Sequence, residues 1–389
     1  MLHASPRFCA NLRLTTRRYL STNIPKSDYQ IQEFKAPVDV IAFREVAVSA
    51  KRKAVVFRKQ IDTDDISSLD RDYVPTSSGK PPVFFPGLRK WFIPNHKRGF
   101  ADLSPYLSKR LKDHMVPSEL VLHLSDDVLD SLNKADQDSS VHTLAKFMRW
   151  LTDSGDPLYQ SFRVLLELET SVDPHRPRLA GNGKSRTRFI RFNAPFALFH
   201  AALAYNKAHS GHERFADLYI TQFPLSDLPK ELQDDFPMPE FLAAPNPQMF
   251  NAVPDVYSSS LWLGLEPTYT PWHCDPNHNL FCQLVGCKVI RLMPPEAGLK
   301  LFREVKARLG GPANPFIRGE EMMQGPERKA FLDAVWSATP PEGMLEVELK
   351  PRDVLYLNKH WWHSVKSGAD GGQLNASVNW WFQWRDRML

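Results

Sequence analysis

The chain has 389 residues, of which 42% are hydrophobic and 24% are charged, so it can form a globular core and is not a disordered tail. Proline is frequent, with 32 residues, which argues against a helical bundle and favours strands, turns and long loops. No membrane-spanning helix is expected, and the four cysteines are too few and too clustered for a disulfide-rich secreted protein.

The N-terminal segment is basic and contains many hydroxyl side chains. Arg7, Arg13, Arg17 and Arg18 all precede the first acidic residue, Asp28. This composition, without the apolar core of a secretory signal, predicts a mitochondrial transit peptide over residues 1–25; a disordered basic tail is the alternative. These arginines supply most of the net charge of +5, so the charge gives no strong evidence of nucleic-acid binding. A mitochondrial location is expected, with the cytoplasm or the nucleus as alternatives.

Residues 26–214 are predicted to form a helical or mixed region that packs on a C-terminal core. A short strand is expected at 53–58 because it is rich in β-forming residues. Apolar spacing predicts helices at 117–133, 141–153 and 195–209. The segment 173–188, rich in Pro, Gly and Arg, is predicted to be a surface loop or mobile insertion, with a polyanion-binding arm as the alternative.

Residues 215–389 have the pattern of a β-rich domain. Short strand-like runs alternate with turns, which is typical of a sandwich or barrel. The predicted strands are 217–222, 259–265, 281–285, 288–293, 345–349, 354–357 and 376–384. A helical insertion is expected at about 296–340.

Two side chains in this β-rich part have the spacing of metal ligands. His273 and Asp275 lie two residues apart, so on a strand they point to the same face. His363 follows much later. If its strand returns beside the first one, the three side chains occupy one face of an octahedral ion, as in non-haem Fe(II) oxygenases. Mn(II), Co(II) and Ni(II) also suit these donors.

Lys288 lies fifteen residues beyond His273 in an apolar predicted strand. A lysine inside such a strand is costly unless an anion meets it, and a dicarboxylate cosubstrate would supply that anion. A solvent-facing Lys288 is the alternative. Thr270 and Asn279, on either side of the His-x-Asp pair, offer neutral hydrogen bonds to the same ligand.

A zinc site is the competing interpretation of this stretch. Cys274, His278, Cys282 and Cys287 are the candidate ligands. Their spacing lacks a Cys-x-x-Cys pair, and the stretch is strand-like rather than a tight loop. Apolar packing of small thiols is therefore favoured over zinc.

The residues around these side chains resemble the jumonji-C (JmjC) hydroxylases, which are Fe(II)- and 2-oxoglutarate-dependent oxygenases with a cupin-like double-stranded β-helix. The likeness is strongest to the small JmjC-only hydroxylases and to the asparaginyl hydroxylase that acts on hypoxia-inducible factor, and it covers roughly 215–389. The family motifs are present as Tyr219-Ile220-Thr221-Gln222, Thr270-Pro271-Trp272-His273-Cys274-Asp275, Gly286-Cys287-Lys288, Asp353-Val354-Leu355-Tyr356, Trp361-Trp362-His363 and Ser377-Val378-Asn379. One departure is Arg352, where the family usually has glycine before the aspartate.

The resemblance implies a mainly β fold with a helical N-terminal half (α+β) and a cupin-like, jelly-roll core. It implies that Fe(II) is held by His273, Asp275 and His363, with 2-oxoglutarate and dioxygen as cosubstrates. Packing by Trp361 and Trp362 would orient His363.

The same resemblance implies a cosubstrate pocket. Lys288 would bind the distal carboxylate of 2-oxoglutarate, helped by Thr270 and Tyr219, and the pocket would be lined by Asn279 and Asn379. The expected function is hydroxylation of a protein or a small molecule. A tRNA-modifying oxygenase, a histone or protein demethylase and a non-enzymatic cupin binding module are the alternatives, since nothing in the sequence identifies the target.

Overall fold

The computed structural model describes residues 29–34, 40–49, 53–58, 85–95, 100–125, 140–170, 185–216, 218–242, 252–310 and 322–386. The predicted transit segment 1–25 lies outside these residues, as does most of the predicted loop 173–188. The last residues of that loop, from Ser185 onward, instead begin a strand.

The strands in these ranges are β1 (Gln30–Phe34), β2 (Lys53–Phe57), β3 (Phe92–Asn95), β4 (Phe100–Leu103), β5 (Met115–Ser125), β6 (Ser185–Pro195), β7 (Leu218–Pro224), β8 (Ala252–Leu265), β9 (Tyr269–Cys274), β10 (His278–Val285), β11 (Lys288–Met293), β12 (Leu345–Leu349), β13 (Val354–Leu357), β14 (Trp362–Ser367) and β15 (Leu374–Asp386). The helices are α1 (Val40–Ser49), α2 (Pro86–Trp91), α3 (Pro105–Leu111), α4 (Ser140–Asp153), α5 (Pro157–Thr170), α6 (Phe196–Ala208), α7 (Lys230–Gln233), α8 (Pro295–Leu309) and α9 (Gly325–Trp336). In the described ranges, none of these helices is long and apolar enough to cross a membrane.

The described strands form two facing sheets and a small hairpin. The large sheet has the order β1-β2-β13-β10-β15-β8-β7-β5-β6, and the small sheet has the order β12-β11-β14-β9. Strands far apart in sequence pair antiparallel in both sheets, for example β10 with β13 and β15. The inner faces pack together through Phe281 and Leu355 on one side and Ile290, Leu292 and Val365 on the other. This is the cupin-like core that the sequence predicts.

The N-terminal half is mixed rather than helical. The helices predicted at 141–153 and 195–209 are present as α4 and α6, but the described part of the predicted helix 117–133 is strand β5. Val116, Leu120 and Leu122 are buried at even spacing, and β5 pairs with β6 over its whole length. The helical prediction was wrong because a short apolar run is compatible with the periodicity of a helix and with that of a strand. Pairing with β6 selects the strand.

Two helices cover the outer face of the small sheet, in the stretch where helical segments were predicted. Phe302 of α8 and Phe331 of α9 pack with Trp272 and Trp362 of the sheet. At Gly298 the helix approaches so closely that an added Cβ would lie 2.2 Å from Cγ of Trp362. Helix α8 therefore packs tightly against the first residue of β14 on the outer face of the small sheet.

Candidate metal centre

The pairing of β9 with β14 brings the three predicted ligands together. His363 is the register partner of His273, and Asp275 follows the end of β9. The possible ligand atoms of the three residues all lie within 4.8 Å of one another. The Asp275 carboxylate oxygens are 3.8 Å from Nε2 of His273 and 3.9 Å from Nε2 of His363. These distances leave room for one ion between the three side chains.

Backbone carbonyls orient both imidazoles. Nδ1 of His273 lies 2.8 Å from the Pro271 carbonyl oxygen, and Nδ1 of His363 lies 3.1 Å from that of Trp361. When each Nδ1–H donates to its carbonyl, each Nε2 keeps a lone pair directed at the shared centre. Trp361 thus orients His363 through its backbone, while Trp362 stacks on Trp272 with ring centroids 5.9 Å apart.

The charge state of the ligands suits a divalent cation. Burial opposes ionisation of Asp275, but the neighbouring His273 and His363, together with hydrogen bonds from Trp381 and Asn279, hold the pKa of its carboxyl below the usual value. Burial, reinforced by His273, lowers the pKa of His363 to about 4. At neutral pH the site therefore offers a carboxylate and an uncharged His363 imidazole, which are the protonation states that bind metal.

A chain of hydrogen bonds fixes the Asp275 carboxylate. Its Oδ2 accepts from Nε1 of Trp381 at 3.1 Å and from Nδ2 of Asn279 at 3.4 Å. Asn279 in turn accepts from Asn379 at 3.1 Å, and Asn379 accepts from Nε1 of Trp262 at 2.8 Å. The structure thus connects Asn279 and Asn379 to the metal ligands, and their contact with a cosubstrate stays a prediction.

Lys288 lies on the inner face of the small sheet and is 2% exposed, so the solvent-facing alternative was wrong. Its Nζ donates to Oγ of Ser377 at 2.8 Å and to the Tyr219 hydroxyl at 3.1 Å. Within the described ranges, no carboxylate forms an ion pair with it. Burial lowers its pKa to about 7, against a smaller opposing effect of Glu266. A buried ammonium held by hydroxyl groups is suited to receive the carboxylate of a ligand.

Thr270 reaches the same face as His273 because of a β-bulge. On β14, His363 and Val365 are two residues apart, but their partners on β9, His273 and Thr270, are three apart. The extra residue on β9 reverses the usual alternation, so the two side chains share a face. Simple alternation along a strand would have placed Thr270 on the opposite face.

The candidate zinc ligands of the competing interpretation do not converge within the described residues. No disulfide involves Cys274, Cys282 or Cys287 among the described residues, and Cys282 is buried in the apolar core. Nδ1 of His278 lies 3.0 Å from the Tyr356 hydroxyl. The packing interpretation of these cysteines agrees with this arrangement.

The sequence did not assign roles to several residues of the site. Trp262, Trp381 and Ser377 enter it through the pairing of β15 with β8 and β10. Ser377 and Asn379 alternate with buried apolar residues, so besides the JmjC-like motif a second signal for Ser377 was a polar side chain in a strongly apolar strand.

Fold and site together define a cupin-type oxygenase scaffold with a two-histidine, one-carboxylate metal centre. A family model described as "Cupin-like domain" matches residues 68–388. The chain belongs to this family, within the JmjC-type Fe(II)- and 2-oxoglutarate-dependent oxygenases.

Several curated relatives are similar to the chain over a limited region. Lysine-specific demethylase JMJ30 of Arabidopsis thaliana is 29% identical over 168 residues, which is 42% of this chain and 33% of that protein. Jumonji C domain-containing protein 5 of Drosophila melanogaster is 28% identical over 42% of this chain and 36% of its own length. Lysine-specific demethylase 8 of Danio rerio is 27% identical over 42% of this chain and 36% of its own length. The match therefore spans about a third of the length of these relatives.

Proposed function

We propose that the chain is an Fe(II)- and 2-oxoglutarate-dependent oxygenase that hydroxylates a protein or small-molecule substrate. The observation that carries the proposal is the convergence of His273, Asp275 and His363 on one point in a fold that also buries Lys288 among hydroxyl groups. Two imidazoles and one carboxylate on one face suit Fe(II) and leave open positions for a chelating cosubstrate and dioxygen.

The residues of the site have separate tasks in this proposal. His273, Asp275 and His363 would hold the iron, and Lys288 and Tyr219 would bind the distal carboxylate of 2-oxoglutarate. When bound, iron and 2-oxoglutarate together supply the oxidising power that inserts one oxygen atom of dioxygen into the substrate, with succinate and carbon dioxide as coproducts. The protein orients the ligands through the Trp381 and Asn279 hydrogen bonds to Asp275.

Turnover of 2-oxoglutarate to succinate tests this chemistry. Wild-type protein with Fe(II) and ascorbate is expected to release succinate slowly even without substrate, and Asp275→Ala should abolish this release. Asp255→Ala is the matched control, because Asp255 forms an exposed ion pair with Arg385 on the neighbouring strand and should leave turnover unchanged. Wild-type protein that binds iron and releases no succinate would count against the proposal.

Lysine demethylation is the second candidate, and it is favoured by the names of two of the relatives, which describe lysine-specific demethylases. Hydroxylation of an N-methyl carbon yields an unstable hemiaminal, so the same chemistry would end as demethylation. Methylated and unmethylated histone peptides would separate the two outcomes: formaldehyde release supports demethylation, whereas a gain of one oxygen atom supports hydroxylation. The basic segment 173–188 favours a tRNA-modifying oxygenase only mildly, and most of it lies outside the described residues, so this alternative stays a prediction.

We also propose a mitochondrial location, supported by the basic, acid-poor composition of residues 1–25. Imaging the full chain and a variant without residues 1–25 tests it. Mitochondrial signal that is lost on truncation supports the proposal, and identical distributions of the two proteins contradict it.

A further inference from the structure

Two buried amide side chains hold the turn that immediately precedes Lys288. Nε2 of Gln283 donates to the carbonyl oxygens of Val285 at 2.8 Å and Gly286 at 3.1 Å. Nδ2 of Asn375 donates to the carbonyl oxygen of Cys287 at 2.8 Å. Three consecutive carbonyls are thus bound by side chains that are at most 1% exposed. The path of the backbone into Lys288 is therefore fixed by side chains as well as by the sheet.

The two amides are joined to each other and to a buried carboxyl. Nε2 of Gln283 donates to Oδ1 of Asn375 at 3.1 Å, and Nδ2 of Asn375 donates to Oε1 of Glu266 at 2.7 Å. Gly286 in the turn has a φ of 69°, and a Cβ there would lie 2.7 Å from Nδ2 of Asn375. The turn and the amide are in such close contact that only glycine fits between them.

Strand β15 contacts both the backbone that precedes Lys288 and the ammonium at the end of its side chain. Asn375 and Ser377 are two residues apart on β15, so they share its inner face. Asn375 binds the backbone before Lys288, and Ser377 accepts a hydrogen bond from its ammonium. A lysine side chain has four rotatable bonds and loses considerable entropy when its charge is held at one point. Because β15 orders the backbone and the ammonium of Lys288 before a ligand binds, less conformational entropy is lost on binding.

We propose that Glu266, Asn375 and Gln283 form a positioning network for Lys288 that sets the affinity of the site for the distal carboxylate of 2-oxoglutarate. The proposal rests on the function proposed above, since it assigns Lys288 to that carboxylate. None of the three residues needs to touch the ligand. Their effect is transmitted through the turn and should therefore disappear when Lys288 itself is removed.

Binding of two ligands to the Mn(II)-loaded protein tests the network by calorimetry without any turnover. The ligands are 2-oxoglutarate and 2-oxopentanoate, which has the same five-carbon chain but lacks the distal carboxylate. Asn375→Ala is expected to weaken 2-oxoglutarate binding about tenfold, as for loss of a well-placed charge-assisted contact, and to change 2-oxopentanoate binding less than twofold. In a Lys288→Met background, Asn375→Ala should change neither affinity, because residues that act through one group are not additive.

Control variants separate positioning from general loss of stability. Asn206 is also a buried asparagine that bridges two backbone carbonyls, those of Phe215 and Gly372, so Asn206→Ala should lower the melting temperature without changing ligand discrimination. If Asn375→Ala does not fold, Gln283→Met removes the other amide at similar volume and is expected to weaken 2-oxoglutarate binding selectively.

The outcomes distinguish the two proposals. Equal losses for both ligands, or a full additional loss in the Lys288→Met background, would overturn the positioning network. Wild-type protein that binds Mn(II) but does not bind 2-oxoglutarate would contradict the proposed function itself.

Discussion

His363 lies directly opposite His273 across the β9–β14 pairing, and the two ring centroids are 4.2 Å apart. Both Nε2 atoms lie within 4 Å of the Asp275 carboxylate, so this pairing places two imidazole nitrogens and one carboxylate around a single point. A slip of one residue in this pairing would turn His363 to the outer face and dismantle the centre. The geometry of the site therefore depends on strand register as much as on the identity of the ligands.

Trp381 is expected to support metal binding through its hydrogen bond to Oδ2 of Asp275. Trp381→Phe keeps an aromatic ring but removes the donor, and such partners of metal ligands typically contribute about 10–100-fold in affinity. We therefore predict that Trp381→Phe raises the Mn(II) dissociation constant at least tenfold, as measured by calorimetry. Trp384→Phe is the matched control, since Nε1 of Trp384 donates to the Tyr356 hydroxyl instead. Similar affinities in the two variants would contradict the role of Trp381.

The affinity for 2-oxoglutarate is expected to fall as the pH rises above neutrality. Burial lowers the pKa of Lys288 to about 7 and raises that of Glu266 to about 7, so the two buried groups share protons in the same pH range. A carboxylate ligand favours the charged lysine and the neutral glutamic acid, so its binding takes up one proton for each of the two groups that has lost its own. Above pH 7 the dissociation constant should rise by about tenfold per pH unit for each proton taken up, towards a limit of about a hundredfold per pH unit once both groups have lost theirs.

Calorimetry with Mn(II)-loaded protein between pH 6 and pH 8.5 measures this dependence. The exposed Asp370 also acts on Glu266, in the direction that raises its pKa, so Asp370→Asn should shift the profile slightly to lower pH. The control ligand 2-oxopentanoate does not reach Lys288 with a charge, and its affinity should vary less. A dissociation constant for 2-oxoglutarate that stays constant over this range would disprove the linkage.

The same two groups affect the stability of the ligand-free protein in opposite ways. Between pH 7 and about 10.4 the folded chain binds fewer protons at Lys288 than the unfolded chain, so this group makes the free energy of unfolding rise with pH. Between about pH 4.3 and pH 7 the folded chain binds more protons at Glu266 than the unfolded chain does, so this group makes the free energy of unfolding fall as the pH rises. Urea titrations at several pH values give the free energy of unfolding of wild type and Glu266→Gln. Its dependence on pH should differ between the two proteins mainly between about pH 4.3 and pH 7. The same dependence in both proteins over this range would refute the raised pKa of Glu266.

The sequence predicted which candidate ligands the fold brings together better than it predicted their surroundings. The His-x-Asp spacing and the JmjC-like motifs are local signals, and they were sufficient to name His273, Asp275 and His363, which the structure brings together, and Lys288, which it buries. The roles of Trp381 and Ser377 depend on how β15 pairs with β10, and pairing between distant strands cannot be read from spacing along one of them. Strand β5 was predicted as a helix for the same reason: its partners β6 and β7 decide its conformation.

Arg352 adopts a left-handed backbone conformation, with a φ of 75°, at the position where JmjC proteins usually have glycine. A residue with a Cβ pays about 1 kcal/mol for this conformation. Arg352→Gly is therefore expected to raise the free energy of unfolding by about 0.5–1 kcal/mol in urea titration. Lys350→Gly, two residues earlier and without a positive φ, should instead lower it by a similar amount. Destabilisation by Arg352→Gly would show that contacts of the half-buried arginine side chain outweigh the strain.

Gly298 allows α8 to approach β14 directly behind the metal centre. An added Cβ would lie 2.2 Å from Cγ of Trp362, and Trp362 is the residue before His363. Gly298→Ala is expected to destabilise the fold by about 1–3 kcal/mol, as overpacking of a core does, and to weaken Mn(II) binding because the displaced indole moves the start of β14.

Gly310→Ala provides the comparison for this variant at the other end of the same helix. Gly310 has a φ of 67° and no atom within 4 Å of an added Cβ, so its substitution costs backbone strain of about 1 kcal/mol without any collision. Both variants should lower the melting temperature, but only Gly298→Ala should change the Mn(II) dissociation constant. Unchanged metal affinity in a folded Gly298→Ala protein would mean that the stack of Trp362 on Trp272 adjusts without moving His363.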